Sequence, residues 1–285
     1  MGFFSKLSFY AKSVLAVVLL SSCSLYGVVA AVLLSLVGKR RLAQWTTARA
    51  FNYIVGPAIG VNVKVINADK IKVPAVFVSN HQSELDILVL GKIFVPGCTV
   101  TAKESLKWVP LLGWFMYLSG TVFLNRSNRE KSVGTLKSAL ESLKRDKRAL
   151  WIYPEGTRSY STKLKMLPFK KGAFHLAQQA QIPIIPVVVS NTSTLFCPKL
   201  GIFNSGVMTC KVLDPISTQD LKKEDIGELV EDVYQLMQTE YENMGYSEAV
   251  PGSELPPDAQ SQLHPCSSGE SEDFKEIDET TSLLQ

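Results

Sequence analysis

Residues 75–94 read AVFVSNHQSELDILVLGKIF, and this stretch decides the fold class. AVFVS (75–79) follows Pro74 and is an unbroken apolar run of β-branched and aromatic residues, the pattern of a strand buried on both faces. Ser83–Phe94 carries apolar residues at helical spacing, with Ser83 placed to cap its start and Asp86 three residues on, close to a capping box. A strand that turns directly into a helix is the first half of a βαβ unit. The turn between them holds Asn80, His81 and Gln82.

His81 and Asp86 are five residues apart, which on one helix is about 140° around the axis, so they would not face each other. They meet only if His81 lies in the turn and Asp86 in the first helical turn. An Asp touching the imidazole would fix its tautomer and leave the other nitrogen as a general base. The competing reading is structural: Asp86 satisfies helix N–H groups and His81 closes a strand.

Outward from this unit the same alternation repeats. Strands are expected at 61–65, 98–102, 121–124, 149–153, 182–190 and 207–213, with helices at about 129–145, 171–181 and 218–243. This is an α/β domain with a mixed, largely parallel sheet flanked by helices. Pro183 and Pro186 point to edge, bulge or strand-start positions. VPLLGWFMYLSG (109–120) is apolar but too short to cross a bilayer, so it is core, an interfacial wall or a ligand tunnel.

Three further turns hold chemistry. Gly120–Arg126 (GTVFLNR) ends a strand on Arg126, whose guanidinium is a fork for a phosphate or a partner in a surface ion pair. Tyr153–Ser159 (YPEGTRS) follows a strand and places Glu155, Gly156, Thr157 and Arg158 in one turn. There a glycine allows close backbone approach and an arginine offers two donors. Pro168–Gly172 (PFKKG) sets Lys170 and Lys171 at a helix N-terminus, unfavourable for the helix dipole unless an anion sits there.

Of the 285 residues, 46% are apolar and 20% charged, which excludes a disordered chain. Five scattered cysteines and three distant histidines show neither a disulfide framework nor a local metal-ligand cluster. Cys98 reads as a buried thiol. No nucleophile elbow, P-loop or dinucleotide fingerprint is present. Residues 251–285 hold eight acids against one base, a net −7, so of the total +4 the first 250 residues carry +11. That basic body implies anionic partners, lipid head groups or phosphates, and no nucleic-acid-binding pattern is found.

Ser13–Gly38 contains no charged residue over 26 positions, more than the roughly 20 needed to span a bilayer. The expectations are a single span or a helix pair broken at Ser21–Ser24, with a cleaved signal disfavoured because the apolar run resumes at Val28–Val37. For a single span, Lys39, Arg40, Arg41 and Arg49 put the C-terminal side in the cytosol. LAQWTTARAFNYIVGPAI (42–59) reads as an interfacial helix. The expected organisation is therefore a membrane-anchoring segment at 1–59, a catalytic domain at 60–246, and an acidic disordered tail at 247–285 that ends in a chance-level E-x-x-x-L-L pattern.

NHQSELD, GTVFLNR, YPEGTRS and IPIIPVVVSN, in this order, resemble the glycerolipid acyltransferase family over about residues 5–246. The resemblance implies acyl transfer from acyl-CoA to the sn-2 hydroxyl of lysophosphatidate, giving phosphatidate and CoA. Its motifs are shared with acyltransferases of glycerol-3-phosphate and other lysophospholipids. It implies His81 as general base, Asp86 as its orienter, and Arg126, Glu155, Gly156, Thr157 and Arg158 at acceptor-binding positions. Lys170 and Lys171 are added here for phosphate or CoA, and 109–120 as an acyl-chain wall. The implied setting is the endoplasmic reticulum membrane, with lipid droplets a second site, and no metal or prosthetic group is called for.

Overall fold

The computed structural model describes residues 3–125, 134–135 and 144–263. The expected helix at 129–145 and Arg126 lie largely or wholly outside these residues.

The chain opens with α1 (Phe3–Leu36), followed by α2 (Ala43–Ala50), a π-helical turn (Phe51–Val55) and α3 (Gly56–Ile59). Then come β1 (Val61–Ile66), β2 (Ala75–Ser79), α4 (Asp86–Ile93), β3 (Thr99–Lys103), α5 (Leu112–Ser119), β4 (Val122–Leu124) and β5 (Ala149–Ile152). The second half adds α6 (Gly172–Ala180), β6 (Ile184–Val189), a small hairpin β7–β8 (Phe196–Cys197, Ile202–Phe203) and β9 (Gly206–Val212). It closes with α7 (Ile226–Met244), β10 (Glu248–Ala249) and α8 (Pro257–Leu263).

The main sheet has the order β1-β9-β6-β2-β5-β3-β4, with β10 pairing the start of β9. From β6 to β4 every pairing is parallel; β6–β9 is antiparallel, and β1 runs parallel to β9. Side chains alternate between two cores. Ala75, Phe77, Ala149, Trp151, Ile185 and Val187 join the cluster shared with α2–α4, whereas Val76, Val78, Leu150, Ile152, Ile184 and Val188 join the one shared with α6 and α7. Strands apolar on both sides are what a helix-covered parallel sheet requires.

Pro186 lies inside β6, a central strand. The expectation of an edge, bulge or strand-start position fails there. Pro186 carbonyl accepts from Leu213 N–H at 2.9 Å, one residue past the end of β9, so its missing N–H falls where that ladder stops.

The serine run does not break α1. Ser22 and Ser24 hydroxyls donate back to the carbonyls of Val18 and Leu20, four residues earlier, and 3–36 stays one helix rather than a pair. One face packs along the domain. Phe9 stacks on Phe196, Lys12 donates to Ser205 at 2.9 Å, Cys23 and Ala31 are buried, and Arg40 past the helix end donates to Leu118 carbonyl at 2.6 Å. The opposite face exposes Val14, Val17, Val18, Val29, Leu33 and Leu36.

Residues 42–59 are more than an interfacial helix: Phe51, Val55 and Ile59 are buried in the core cluster under β1, β2 and β5, so the first 59 residues have no separate core. The expected tail also begins too early. Glu248 and Ala249 pair with β9, Val250 N–H donates to Ser205, and Ala259 of α8 is fully buried. Its polar, Pro-rich composition reads as disorder, yet its backbone pairs with the first residues of β9, beyond the stretch that β6 covers, and it has defined structure through residue 263.

At Gly91, α4 passes α2 so closely that a methyl group there would collide with Ala48 carbonyl and Asn52 Cβ. In an open helix Gly→Ala would raise stability by about 0.5–1 kcal/mol. Here Gly91→Ala is expected to cost about 1–3 kcal/mol instead, read as a lower denaturation midpoint in detergent micelles. A raised midpoint would show that the helices separate freely.

Candidate active site

The strands from β6 to β4 are parallel, so their carboxyl ends share one edge, where open α/β sheets place their sites. The turns after β2, β5 and β6 leave from this edge, with Lys103 ending β3 and Leu124 ending β4.

The turn after β2 presents His81. Its Nδ1–H donates to Asp86 Oδ2 at 2.6 Å, the direction being set because the carboxylate only accepts. Asp86 Oδ2 also accepts the Gln82 N–H at 2.9 Å. Asp86 side chain is 5% exposed and His81 18%, so the carboxylate is sheltered while the ring reaches solvent. Nε2 is left as the nitrogen that can take a proton. α4 begins at Asp86 and is capped by Leu85 without a side-chain bond. The capping reading is therefore corrected: Ser83 Oγ accepts from Leu85 N–H at 3.3 Å inside the turn, and Asp86 serves His81 and Gln82 rather than the helix.

The turn is bolted from two sides. Asn80 exchanges both amide bonds with Val189 of β6, and Gln82 donates to Val189 and Ser190 carbonyls while accepting from Thr192 N–H. From the other side, Glu155 Oε1 accepts His81 N–H at 2.6 Å and Oε2 accepts Leu167 N–H at 3.0 Å. Ser159 and Tyr160 N–H groups donate to His81 and Gln82 carbonyls at 2.9 and 3.1 Å. Asn80 and Gln82 were not among the expected site residues. Their signal was two buried amides flanking a histidine, whose partners lie more than a hundred residues away.

Glu155 is 4% exposed and both its oxygens are taken by backbone N–H groups, so it faces inward instead of toward an acceptor. Burial pushes its carboxyl up to about 7; the His81 and Leu167 N–H bonds pull the other way. Gly156 has φ 73° and no side chain, and the Lys170 ammonium lies over it, where a Cβ would stand within 2.6 Å of Nζ. Thr157 is exposed. Arg158 donates to Glu84 at 2.9 Å and to Tyr160 hydroxyl at 3.3 Å, and Tyr160 hydroxyl donates to the same Glu84 oxygen at 2.6 Å. Lys171 takes another course: its Nζ lies against Gly227 at the start of α7. Cys98 is 2% exposed and its thiol is pushed well up by burial.

One sheet edge thus gathers His81 with Asp86, a rigid turn carrying Arg158, and Lys170: an imidazole with a free Nε2 beside two cations. Such a set can take a proton from a hydroxyl and hold an anion next to it. The acyltransferase family profile matches residues 62–190. The chain is 54% identical over 260 residues to the 1-acyl-sn-glycerol-3-phosphate acyltransferase of Saccharomyces cerevisiae, covering 91% of this chain and 86% of that protein. It is 41% identical over 168 residues to the human 1-acyl-sn-glycerol-3-phosphate acyltransferase beta, covering 59% and 60%. The crystal structure of the 1-acyl-sn-glycerophosphate (LPA) acyltransferase of Thermotoga maritima superposes with a TM-score of 0.65 at 26% identity, over 84% of this chain and 94% of that one. The chain belongs to the 1-acyl-sn-glycerol-3-phosphate acyltransferase family and is an acyltransferase.

The raised Glu155 carboxyl links folding to protons. Its folded value lies above the ordinary 4.5, so its contribution to stability is full below about 4.5 and lost as pH rises through about 7. Glu155→Gln removes that dependence and also sets an amide N–H₂ against one backbone N–H. The gap in melting temperature between wild type and Glu155→Gln is expected to be wider at pH 5.5 than at pH 8. An equal gap at both would mean that Glu155 is ionised throughout.

Proposed function

We propose that this chain transfers an acyl group from acyl-CoA to the sn-2 hydroxyl of 1-acyl-sn-glycerol-3-phosphate, giving phosphatidate and CoA. The observation that carries the reading is the His81–Asp86 dyad, held by Asn80, Gln82 and Glu155 at the carboxyl edge of the parallel strands.

His81 Nε2 takes the proton of the acceptor hydroxyl as its oxygen attacks the thioester carbonyl. The tetrahedral intermediate collapses, the C–S bond breaks, and the imidazolium returns the proton to the leaving thiolate. Asp86 stabilises the imidazolium between the two transfers. No covalent acyl-enzyme forms, and acyl-CoA enters as substrate, with no cofactor. Arg158, paired with Glu84 of the dyad turn, and Lys170, over Gly156, take the acceptor phosphate, which competes with Glu84 for the Arg158 fork. Arg126 is assigned to the same phosphate by its motif alone. Lys171 and Thr157 keep their proposed places beside CoA or acceptor.

α1 is long and apolar enough to enter a bilayer, and Trp108, Trp114 and Tyr117, around α5, are exposed beside it. Aromatic residues of this kind favour the head-group zone, and Arg40 and Lys107 supply charges for anionic lipid there. We place the enzyme at the endoplasmic reticulum membrane, or on lipid droplets, with the catalytic domain on the cytosolic side favoured by Lys39–Arg41.

One labelled acyl-CoA with a panel of acceptors tests the reaction. Lysophosphatidate is expected to yield labelled phosphatidate, ahead of glycerol-3-phosphate and other lysophospholipids. His81→Ala should lose about 10²–10⁴-fold in turnover and Asp86→Asn about 10²–10³-fold, both remaining membrane-bound. Near-wild-type turnover in His81→Ala would refute the mechanism.

For the membrane seat, brominated lipids are expected to quench tryptophan fluorescence, and Trp108→Phe with Trp114→Phe to remove most of the quenching. Trp151, 1% exposed, would remain unquenched. Undiminished quenching in the double variant would place the lipid contact elsewhere.

A further inference from the structure

One flat face of the His81 ring is covered. Tyr153, the residue after β5, stacks on it with ring centroids 4.0 Å apart and planes 17° from parallel. Behind Tyr153 stands Trp151, edge-on at 6.2 Å, and behind that Phe77, stacked at 5.5 Å. Phe77 and Trp151 are 2% and 1% exposed and are register partners on β2 and β5. The column that ends on His81 is therefore rooted in the sheet and not in a loop.

Asp86 holds the imidazole by one edge. A single Nδ1–H···O bond fixes the tautomer but lets the ring swing about that bond, which carries Nε2 out of line with a hydroxyl. An aromatic plane against the ring face blocks the swing. It also carries a sign: the negative face of a neutral ring attracts the imidazolium that forms when His81 takes a proton. Burial, with the nearby Asp86 charge, pushes the Tyr153 phenol well above its ordinary value, so the stacked ring stays neutral through the working range.

We propose that Tyr153 is a positioning residue for the reaction, its ring setting the plane of His81 and stabilising the imidazolium, with the hydroxyl dispensable. This rests on His81 acting as the base. Among the described residues, the other ionisable groups at His81 are Asp86 on the ring, Glu155 on its N–H, and the Arg158–Glu84–Tyr160 group on the adjoining turns. All are unchanged in the variants below, so their influence cancels in the comparison.

The test uses full-length enzyme in mixed micelles, with kcat, KM for lysophosphatidate and the pH profile of kcat/KM for Tyr153→Phe, Tyr153→Leu and Tyr153→Met. Tyr153→Phe keeps the stack and is expected within about threefold of wild type. The Leu and Met variants are expected to lose about 10–100-fold in kcat with KM within about twofold. Their acidic limb should move to lower pH by about half a unit to one unit, because the imidazolium has lost its aromatic face. Two non-aromatic replacements of different shape guard against one failing to fold, which its melting transition reports. If a folded Leu or Met variant keeps wild-type kcat and an unmoved limb while His81→Ala is inactive, the proposal is wrong and the base assignment stands. A large loss in Tyr153→Phe would give the role to the hydroxyl and overturn it as well. If His81→Ala itself stays active, the base assignment fails and the proposal with it.

Discussion

A buried carboxyl group, with two backbone bonds beside it, joins the two turns on which the site depends. Glu155 lies in the turn after β5, yet it accepts the backbone N–H of His81 in the turn after β2 and that of Leu167 farther along its own loop. A side chain 4% exposed and bonded on both oxygens has no freedom to follow a ligand. It fixes where the His81 backbone sits, and the dyad geometry follows from that backbone. The cost is evident in its carboxyl value, raised toward neutrality because two N–H bonds replace only part of the lost hydration.

The same turn faces outward with the opposite chemistry. Arg158 is half exposed and shares Glu84 with Tyr160, so its partners are side chains at the surface and not the core. An exposed pair of this type is weak and exchangeable, and a phosphate dianion offers more acceptors to the same fork than one carboxylate does. Lys170 adds a second cation, admitted by the missing side chain of Gly156. Rigid where it touches the base and yielding where it would meet an anion, YPEGTRS divides its residues between two tasks.

α1 also has two roles. Its inner face is part of the domain, with Cys23 in the same cluster as Phe77 and Trp151. Its outer face is a row of exposed valines and leucines that water does not favour. Because the inner face is packed along the domain from Phe9 to Ala31, the outer face is held at a fixed distance from the sheet. Under the proposed function, delivery of a lipid acceptor to His81 is then a matter of geometry more than of a flexible tether.

The sequence by itself determined the main strands, the α/β class and the glycine turn, and it set His81 and Asp86 at a spacing that permits their pairing, because each rests on spacing within a few residues: apolar runs between turn residues, a base and an acid five apart, a glycine after a strand. The order of four such motifs carried the family. Only the tertiary structure decided the rest. Asp86 turned out to serve His81 and Gln82 and not a helix cap. Glu155 turned inward, Lys170 and Lys171 parted, Pro186 sat in a central strand, and 248–249 paired with β9. Asn80, Gln82 and Tyr153 gained partners that their neighbours in sequence do not reveal. These outcomes depend on contacts such as Glu155 with His81, 74 residues apart, or Gln82 with Val189, 107 apart. A buried polar group is satisfied by whatever the fold brings to it, and that is set when the strands assemble, not by the local pattern of residues.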